Sequence, residues 1–454
     1  MTSENIKSYA ILVALGLSIL LSSLSTSIAN VALPNLAQNF HASMQEVQWV
    51  VLAYLLTITT LIVSVGRLGD LIGRRRLLLF GLMTFTIASV LCAIASDLWF
   101  LIAARALQGA AAATMMALAM AMVAGALPKE RTGSAMGLLG SMSAVGTALG
   151  PVVGGFLIGG VGWQAIFAIN IPFALLTWLL VYCYLPAESQ SEKQPRLAFD
   201  FVGSLLLAFS LGTYALAMTL GRSSFQSTNA ALLLMTLTGL AMFVRVQSRS
   251  TAPLIELSLF RQPELSGGFA MSALVTTVVM ATLVVGPFYL AEAFNLDTAH
   301  IGLVMSSGPI VAAVTGLPAG RLVDRFGATI MCSVGLVVMF VGSASVVMLA
   351  GHFGLAAYIA PLVLMTAGYA LFQAANNAAV MSSIDVGQRG LIAGMLNLAR
   401  NLGLITGASL MGRIFAISSA SHTLTPDTLG GLRITFAVAT GLIILALFIQ
   451  VRRT

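Results

Sequence analysis

Charge is what this chain has least of. Only 8% of its 454 residues are Asp, Glu, Lys or Arg. A water-dispersed domain needs a charged surface, so this scarcity excludes an ordinary soluble fold. Acids are rarer than bases, 15 against 22, and the formal net charge is +7. The bases are scattered in short segments rather than gathered into a patch, which argues against nucleic-acid binding. Cysteine occurs three times, at Cys92, Cys183 and Cys332, each alone in an apolar stretch. That pattern offers neither a disulfide framework nor a thiolate metal site. The four histidines lie in or beside connecting segments, and none begins an HExxH run. There is no GxSxG elbow and no nucleotide-binding glycine loop. A membrane enzyme, a metal or organic cofactor and an ATP-driven pump are therefore not expected.

Apolar length is what the chain has in excess. Hydrophobic residues make up 58% of it, and the mean hydropathy is +0.98. They come in continuous blocks of about twenty residues, enough to span a bilayer core as helices at about 1.5 Å per residue. The blocks do not alternate, so they are not barrel strands. Fourteen are expected, near 9–31, 47–66, 77–96, 98–122, 134–156, 164–185, 201–220, 229–246, 267–290, 301–319, 329–350, 355–381, 391–417 and 432–450. The first is too long for a signal-peptide core and reads as a retained helix.

Lys and Arg set the orientation. With the N-terminus inside, the basic residues from Lys7, Arg67 and Arg74 to Arg452 and Arg453 fall on the cytoplasmic side, and only Arg222 and Arg433 fall outside. The alternation requires an even number of spans and puts both termini in the cytoplasm of a cell membrane. The segment 248–265 is basic and amphipathic and is expected to lie along the inner surface.

The scarce charge is also repeated. GRLGDLIGRRR (66–76) concentrates five charges in eleven residues, and GRLVDRFG (320–327) repeats its pattern 254 positions later. Both fall where short inner turns are expected, with glycines permitting close backbone approach. This internal repeat predicts an all-α polytopic protein of two six-helix bundles related by a pseudo-two-fold axis, with two helices inserted between them. The expected units are 1–185, 186–265 (linker and inserted pair) and 266–454.

The chain resembles the fourteen-helix drug:proton antiporter branch of the major facilitator superfamily over nearly its whole length. Gly66, Asp70, Gly73, Arg74 and Arg75 fit the superfamily's loop 2–3 motif, and Gly320, Arg321, Asp324, Arg325 and Gly327 fit its weaker copy. RALQG in span 4, with Arg105, Gln108 and Gly109, fits the motif with a buried arginine. GTALGPVVGG (146–155) fits the exporter-associated motif of span 5. WQAIFAINIP (163–172) resembles a family segment that usually begins Trp-Arg-Trp, with Gln164 and Ala165 in place of its second and third residues.

The resemblance implies a cytoplasmic gate at Gly66, Arg67, Asp70, Gly73, Arg74, Arg321, Asp324 and Arg325. There the acids latch the two bundles through charge-assisted hydrogen bonds, while Arg75 and Arg76 are read as a solvated turn. It also implies a bent span 5 built on Gly146, Gly150, Pro151, Gly154 and Gly155. Bare glycine faces equally permit close packing in lipid, and the two readings are compatible.

Arg105 lies about 10 Å along span 4 from its outer end. A charge at that depth must face the bundle interior with partners. Arg400 in span 13 poses the same question, while Arg413 lies nearer the outer end, within snorkelling reach. In the family, span 1 carries an aspartate before a Thr-x-x-Asn-Val-Ala-Leu-Pro run. Here LSTSIANVALP (24–34) matches from Asn30 to Pro34, but Ser25 stands at the acid's position. Serine does not exchange protons near neutral pH. No other acid falls near a midplane, and Glu292 at the outer end of span 9 is the best remaining candidate. A lumen holding Arg105 and Arg400 without carboxylate suits an anionic or zwitterionic solute. Carbonyls, Gln108 or water could satisfy the arginines instead. Tyr54, Thr57, Gln373, Asn376, Asn377, Asn397 and Asn401 are further pathway candidates, with helix–helix hydrogen bonding as the alternative.

The expected function is secondary active export of small amphipathic compounds by alternating access with proton exchange. The alternative is a dedicated exporter of an anionic or zwitterionic metabolite with atypical or no coupling. The partners expected are a small-molecule substrate, protons and membrane lipid, with one chain sufficient.

Overall fold

The computed structural model describes residues 3–126, 129–185, 200–220, 227–250, 260–382, 389–419 and 427–453. Those residues are almost entirely helical. The first bundle comprises α1 (Ser3–Asn39), α3 (Trp49–Ile72), α4 (Arg74–Ala93), α5 (Leu98–Ala126), α6 (Lys129–Gly160) and the broken pair α7 (Ala165–Ala168) and α8 (Asn170–Tyr184), with the single turn α2 (Met44–Val47) between α1 and α3. The inserted pair is α9 (Phe201–Thr219) and α10 (Ser227–Arg249). The second bundle comprises α11 (Pro263–Phe294), α12 (Thr298–Met305), α13 (Ser307–Phe326), α14 (Ala328–Leu349), α15 (Ala356–Ser382), α16 (Arg389–Thr406), a π-helical segment Gly407–Met411, α17 (Gly412–Ser419) and α18 (Thr428–Arg453).

Among the described residues, 13 helical stretches are long and apolar enough to cross a membrane. The remaining crossing is α6, one continuous helix through Pro151 whose described apolar part is Val145–Gly160. The helices outrun the hydropathy windows, as α1 does, because helical hydrogen bonding continues into the polar flanks. Of the expected surface segment 248–265, residues 251–259 lie outside the described residues, and α11 begins at Pro263.

Polar side chains inside these helices bond backward to their own backbone. Ser18 donates to the Ala14 carbonyl, Ser22 to Ser18 and Thr26 to Ser22. A hydroxyl satisfied four residues back can sit in an apolar environment. The rare acids stay at helix ends. Asp97, Asp200, Asp297 and Asp427 each accept a hydrogen bond from the backbone N–H three residues on, capping α5, α9, α12 and α18.

The charged repeats are mostly helix rather than turn. Gly66–Ile72 completes α3 and Gly320–Phe326 completes α13. Each chain reversal is made by one glycine, Gly73 with φ 97° and Gly327 with φ 87°. Side chains rarely adopt that backbone, so glycine is required at both places. The end of the molecule holding these two reversals is called the basic end below, and the other the far end.

Candidate translocation site

The first bundle closes around Arg105, which is fully buried. Helix α5 aims its guanidinium at α1 and α3. Nε donates to the Val50 carbonyl (2.9 Å) and Nη2 to the Ser25 carbonyl (3.1 Å). Nη1 donates to Ser25 Oγ (3.0 Å) and Gln108 Oε1 (2.5 Å). The Tyr54 ring lies 4.2 Å from the guanidinium carbon, and Phe167 lies 5.7 Å away. The network continues outward. Tyr54 donates to the Ser22 carbonyl, and Gln108 Nε2 donates to Ser89 Oγ on α4.

Desolvating a guanidinium is costly unless its donors are met. Here neutral oxygens and two ring faces meet them, and no carboxylate takes part. In this conformation Arg105 fastens α5 to α1 and α3 through carbonyls, Ser25 and Gln108, one of the arrangements the sequence leaves open, and Tyr54 belongs to the same network. Ser25, at the position of the family's acid, accepts two of these bonds. Asn30 is also buried and donates to the Thr26 carbonyl, while its Oδ1 has no partner among the described residues.

The second bundle is different. Asn376 is buried and structural, donating to the Gly268 carbonyl (3.1 Å) and accepting from Arg453 (3.2 Å). It ties α15 to α11 and α18. Asn377 is exposed, and Gln373, Asn397 and Arg400 are half-buried. Arg400 makes no hydrogen bond, ion pair or ring contact with any described residue. Glu292 is exposed on the last turn of α11.

At the basic end, Gly66, Arg67 and Asp70 lie on the last turns of α3, and their side chains are outside the described residues. Arg74 donates to the Ala121 carbonyl of α5. Arg75 is not merely solvated. It donates to the Tyr182 carbonyl (2.7 Å) and lies against the Tyr182 ring, tying α4 to α8. Arg321, Asp324 and Arg325 are exposed, and Asp324 pairs with no described residue. Among the described residues Asp324 of the second motif copy therefore makes no latch contact.

At the far end the bundles touch. Gly146, Gly150 and Gly154 face α1, where a Cβ on Gly150 would meet Ser27 Oγ at 1.9 Å. Gly155 faces the other bundle, where its Cβ would lie 2.7 Å from Gly302 Cα. The glycine motif therefore does two jobs: three members pack within a bundle and one seals between bundles. Gln48 completes the seal. Buried between α3 and α17 against Gly412, its amide has no partner among the described residues.

Three features had no signal in the sequence. The first is the π-helical segment Gly407–Met411, a register change that apolar periodicity does not mark. The second is Arg413, which is buried rather than snorkelling and donates to the carbonyls of Ala217, Met218 and Leu220 at the end of α9. The third is a cleft of about 300 Å³ lined by residues including Glu46, Trp49, Trp99 and Thr219. It opens at the far end, apart from the Arg105 network.

Two six-helix bundles meeting at a glycine seal are the architecture of a polytopic membrane transporter. The comparisons agree. The chain belongs to the Major Facilitator Superfamily, whose family profile matches residues 15–408 and 268–452. It is 33% identical over 415 residues to the drug efflux pump JefA of Mycobacterium tuberculosis, covering 89% of this chain and 79% of that protein. It is 30% identical over 413 residues to the riboflavin transporter RibZ of Clostridioides difficile, covering 90% and 89%. Its fold matches the crystal structure of a D-xylose–proton symporter with a TM-score of 0.70 at 16% identity, covering 97% of each chain.

Proposed function

We propose that the chain is a secondary active exporter of small amphipathic compounds, working by alternating access in the cell membrane as a single chain. The observation that carries this is the backbone contact between Gly155 of α6 and Gly302 of α12. It joins the two bundles through bare backbone at the far end, and a path through that end requires it to part. The likeness to JefA supports drug efflux as the direction and substrate type. The basic end is assigned to the cytoplasm, with both termini there and lipid around the apolar surface. The functional units follow the bundles: 1–185, 186–265 and 266–454. Gly66, Arg67, Asp70, Gly73 and Arg74 form the cytoplasmic gate together with Arg321, Asp324 and Arg325.

Exchange for protons needs a titrating group. Every described acid lies at a helix end or in a connection, so the proton is assigned to the rim acid Glu292 and not to the Arg105 network. The test is proton release from inverted vesicles holding a pH gradient, on adding a panel of amphipathic compounds. The wild type is expected to release protons, Glu292→Gln is expected to lose that release, and Ser25→Asp is expected to gain a second coupling site beside Arg105. Release unchanged in Glu292→Gln would remove the assignment. Compound movement without any proton release in wild type would make the protein a facilitator.

A further inference from the structure

In a chain this poor in charge, an unpartnered one in mid-span carries information. Arg400 follows Arg389, the first residue of α16, by eleven positions, about 16 Å along the axis. Its guanidinium offers several N–H donors and no acceptor. Arg105 meets four oxygens, but Arg400 meets none among the described residues, and it remains half-buried. A charge at such depth is tolerated where it faces a polar cavity or a solute, not hydrocarbon.

Close contacts fix two neighbours of α16. Gly403 and Gly407 press on α11: their Cβ atoms would lie 2.3 Å from the Ala273 carbonyl and 2.6 Å from the Thr277 carbonyl. On another side, Tyr214 of α9 lies beside Thr406 and Ser409. Asn397, Arg400, Asn401 and Leu404 are spaced i, i+3, i+4, i+7 along one stripe of the helix, and Arg400 forms its edge nearest α11, since Gly403 and Gly407 follow it by three and seven residues. Asn397, Arg400 and Leu404 are each half-buried along it. Asn401 is only 9% exposed, and its Nδ2 is a buried donor without a partner. An orphaned buried donor is unfavourable unless something accepts from it.

The face therefore offers a free guanidinium and an adjacent free amide donor, and the spans contain no midplane carboxylate to answer them. What fits is an acceptor-rich anion. We propose that Arg400, with Asn401, forms an anion subsite of the translocation path. It would take the carboxylate, sulfonate or phosphate of an amphipathic solute in a forked contact that lysine cannot reproduce. The subsite deepens the exporter reading by naming the charge of the solute's head group, and it rests on that reading only for the statement that the bound solute is also carried.

The test separates the two. The full chain is placed in phosphatidylcholine nanodiscs, and its thermal midpoint is followed against 2-naphthalenesulfonate, 2-naphthalenemethanol and 2-naphthylmethylammonium. The sulfonate is expected to stabilise wild type best. Arg400→Gln should weaken that binding about tenfold or more, the scale of losing a charged hydrogen bond. Arg400→Lys should fall between, and the alcohol should bind alike to all three. Asn401→Leu offers a second route: it should weaken sulfonate binding severalfold while raising the unliganded midpoint, because it removes the orphaned donor. Equal sulfonate binding in Arg400→Gln and wild type would overturn the proposal, as would preference of wild type for the ammonium compound. A third overturning result is stabilisation by phosphatidylglycerol nanodiscs that depends on Arg400 and that sulfonate does not compete with, which would assign the arginine to lipid. Sulfonate binding that depends on Arg400, without vesicle transport, would leave the subsite standing and remove the exporter reading.

Discussion

Arg105 shows how far one residue's fate can be read from its letter. Its depth in span 4 demanded partners, and that much was legible from hydropathy alone. Their identity was not, because two of its four acceptors are backbone carbonyls, Val50 O and Ser25 O, which leave no mark in a sequence. The serine that looked like a missing acid is instead a hydrogen-bond acceptor of the right size. Replacing Arg105 with Met should leave Gln108 Oε1 and Ser25 short of a donor in a dry interior, at a cost of about 2–4 kcal/mol. Arg105→Lys should recover only part, since an ammonium cannot reach three elements at once. Denaturant unfolding of purified protein measures both. Full stability in Arg105→Met would mean the network is incidental.

The inserted pair gives the same lesson for elements. Composition revealed α9 and α10 as apolar blocks but was silent on where they dock. The docking rests on single atoms: Trp49 Nε1 donates to Thr219 Oγ1 (3.0 Å), Ser64 and Ser204 share a hydrogen bond (2.6 Å), and Arg413 caps the last carbonyls of α9. Helix α9 thus holds α3 of one bundle and α17 of the other. Arg413→Met should free those carbonyls and cost about 1–3 kcal/mol, while Trp49→Phe, which loses one exchangeable bond, should cost about 0.5–1.5 kcal/mol. Because the two act on one helix end, the double variant should fall short of the sum, and a strictly additive result would show that α9 is held elsewhere. Packing of α6 on α1 is testable at Gly150. An alanine there drives a methyl into Ser27 and should destabilise the bundle by about 1–3 kcal/mol, whereas Gly160→Ala, which meets nothing within 4 Å, should be silent.

At the scale of the whole molecule the repeat was the most legible feature. Residues 254 apart promised two related bundles, and Gly73 and Gly327 reverse the chain with nearly the same backbone angles. The conformation was not legible, because one sequence must encode at least two arrangements of the same bundles. Here the far end is closed, and among the described residues the closure is small-residue packing with the neutral Gln48 amide rather than an ion pair. Such a contact can part without stranding a charge, which suits a gate that opens and shuts repeatedly. It also makes the gate easy to trap. Gly159 faces Ala299, and a Cβ built on it lies 3.2 Å from the alanine's. A disulfide accepts about 3.5–4.5 Å, so a cysteine pair needs only a small adjustment. In a background where the exposed native Cys183 is replaced by serine, the Gly159→Cys, Ala299→Cys variant should crosslink on mild oxidation, stop transport and recover on reduction. Complete crosslinking with transport intact would mean that this end never opens, and the substrate would have to leave by another route.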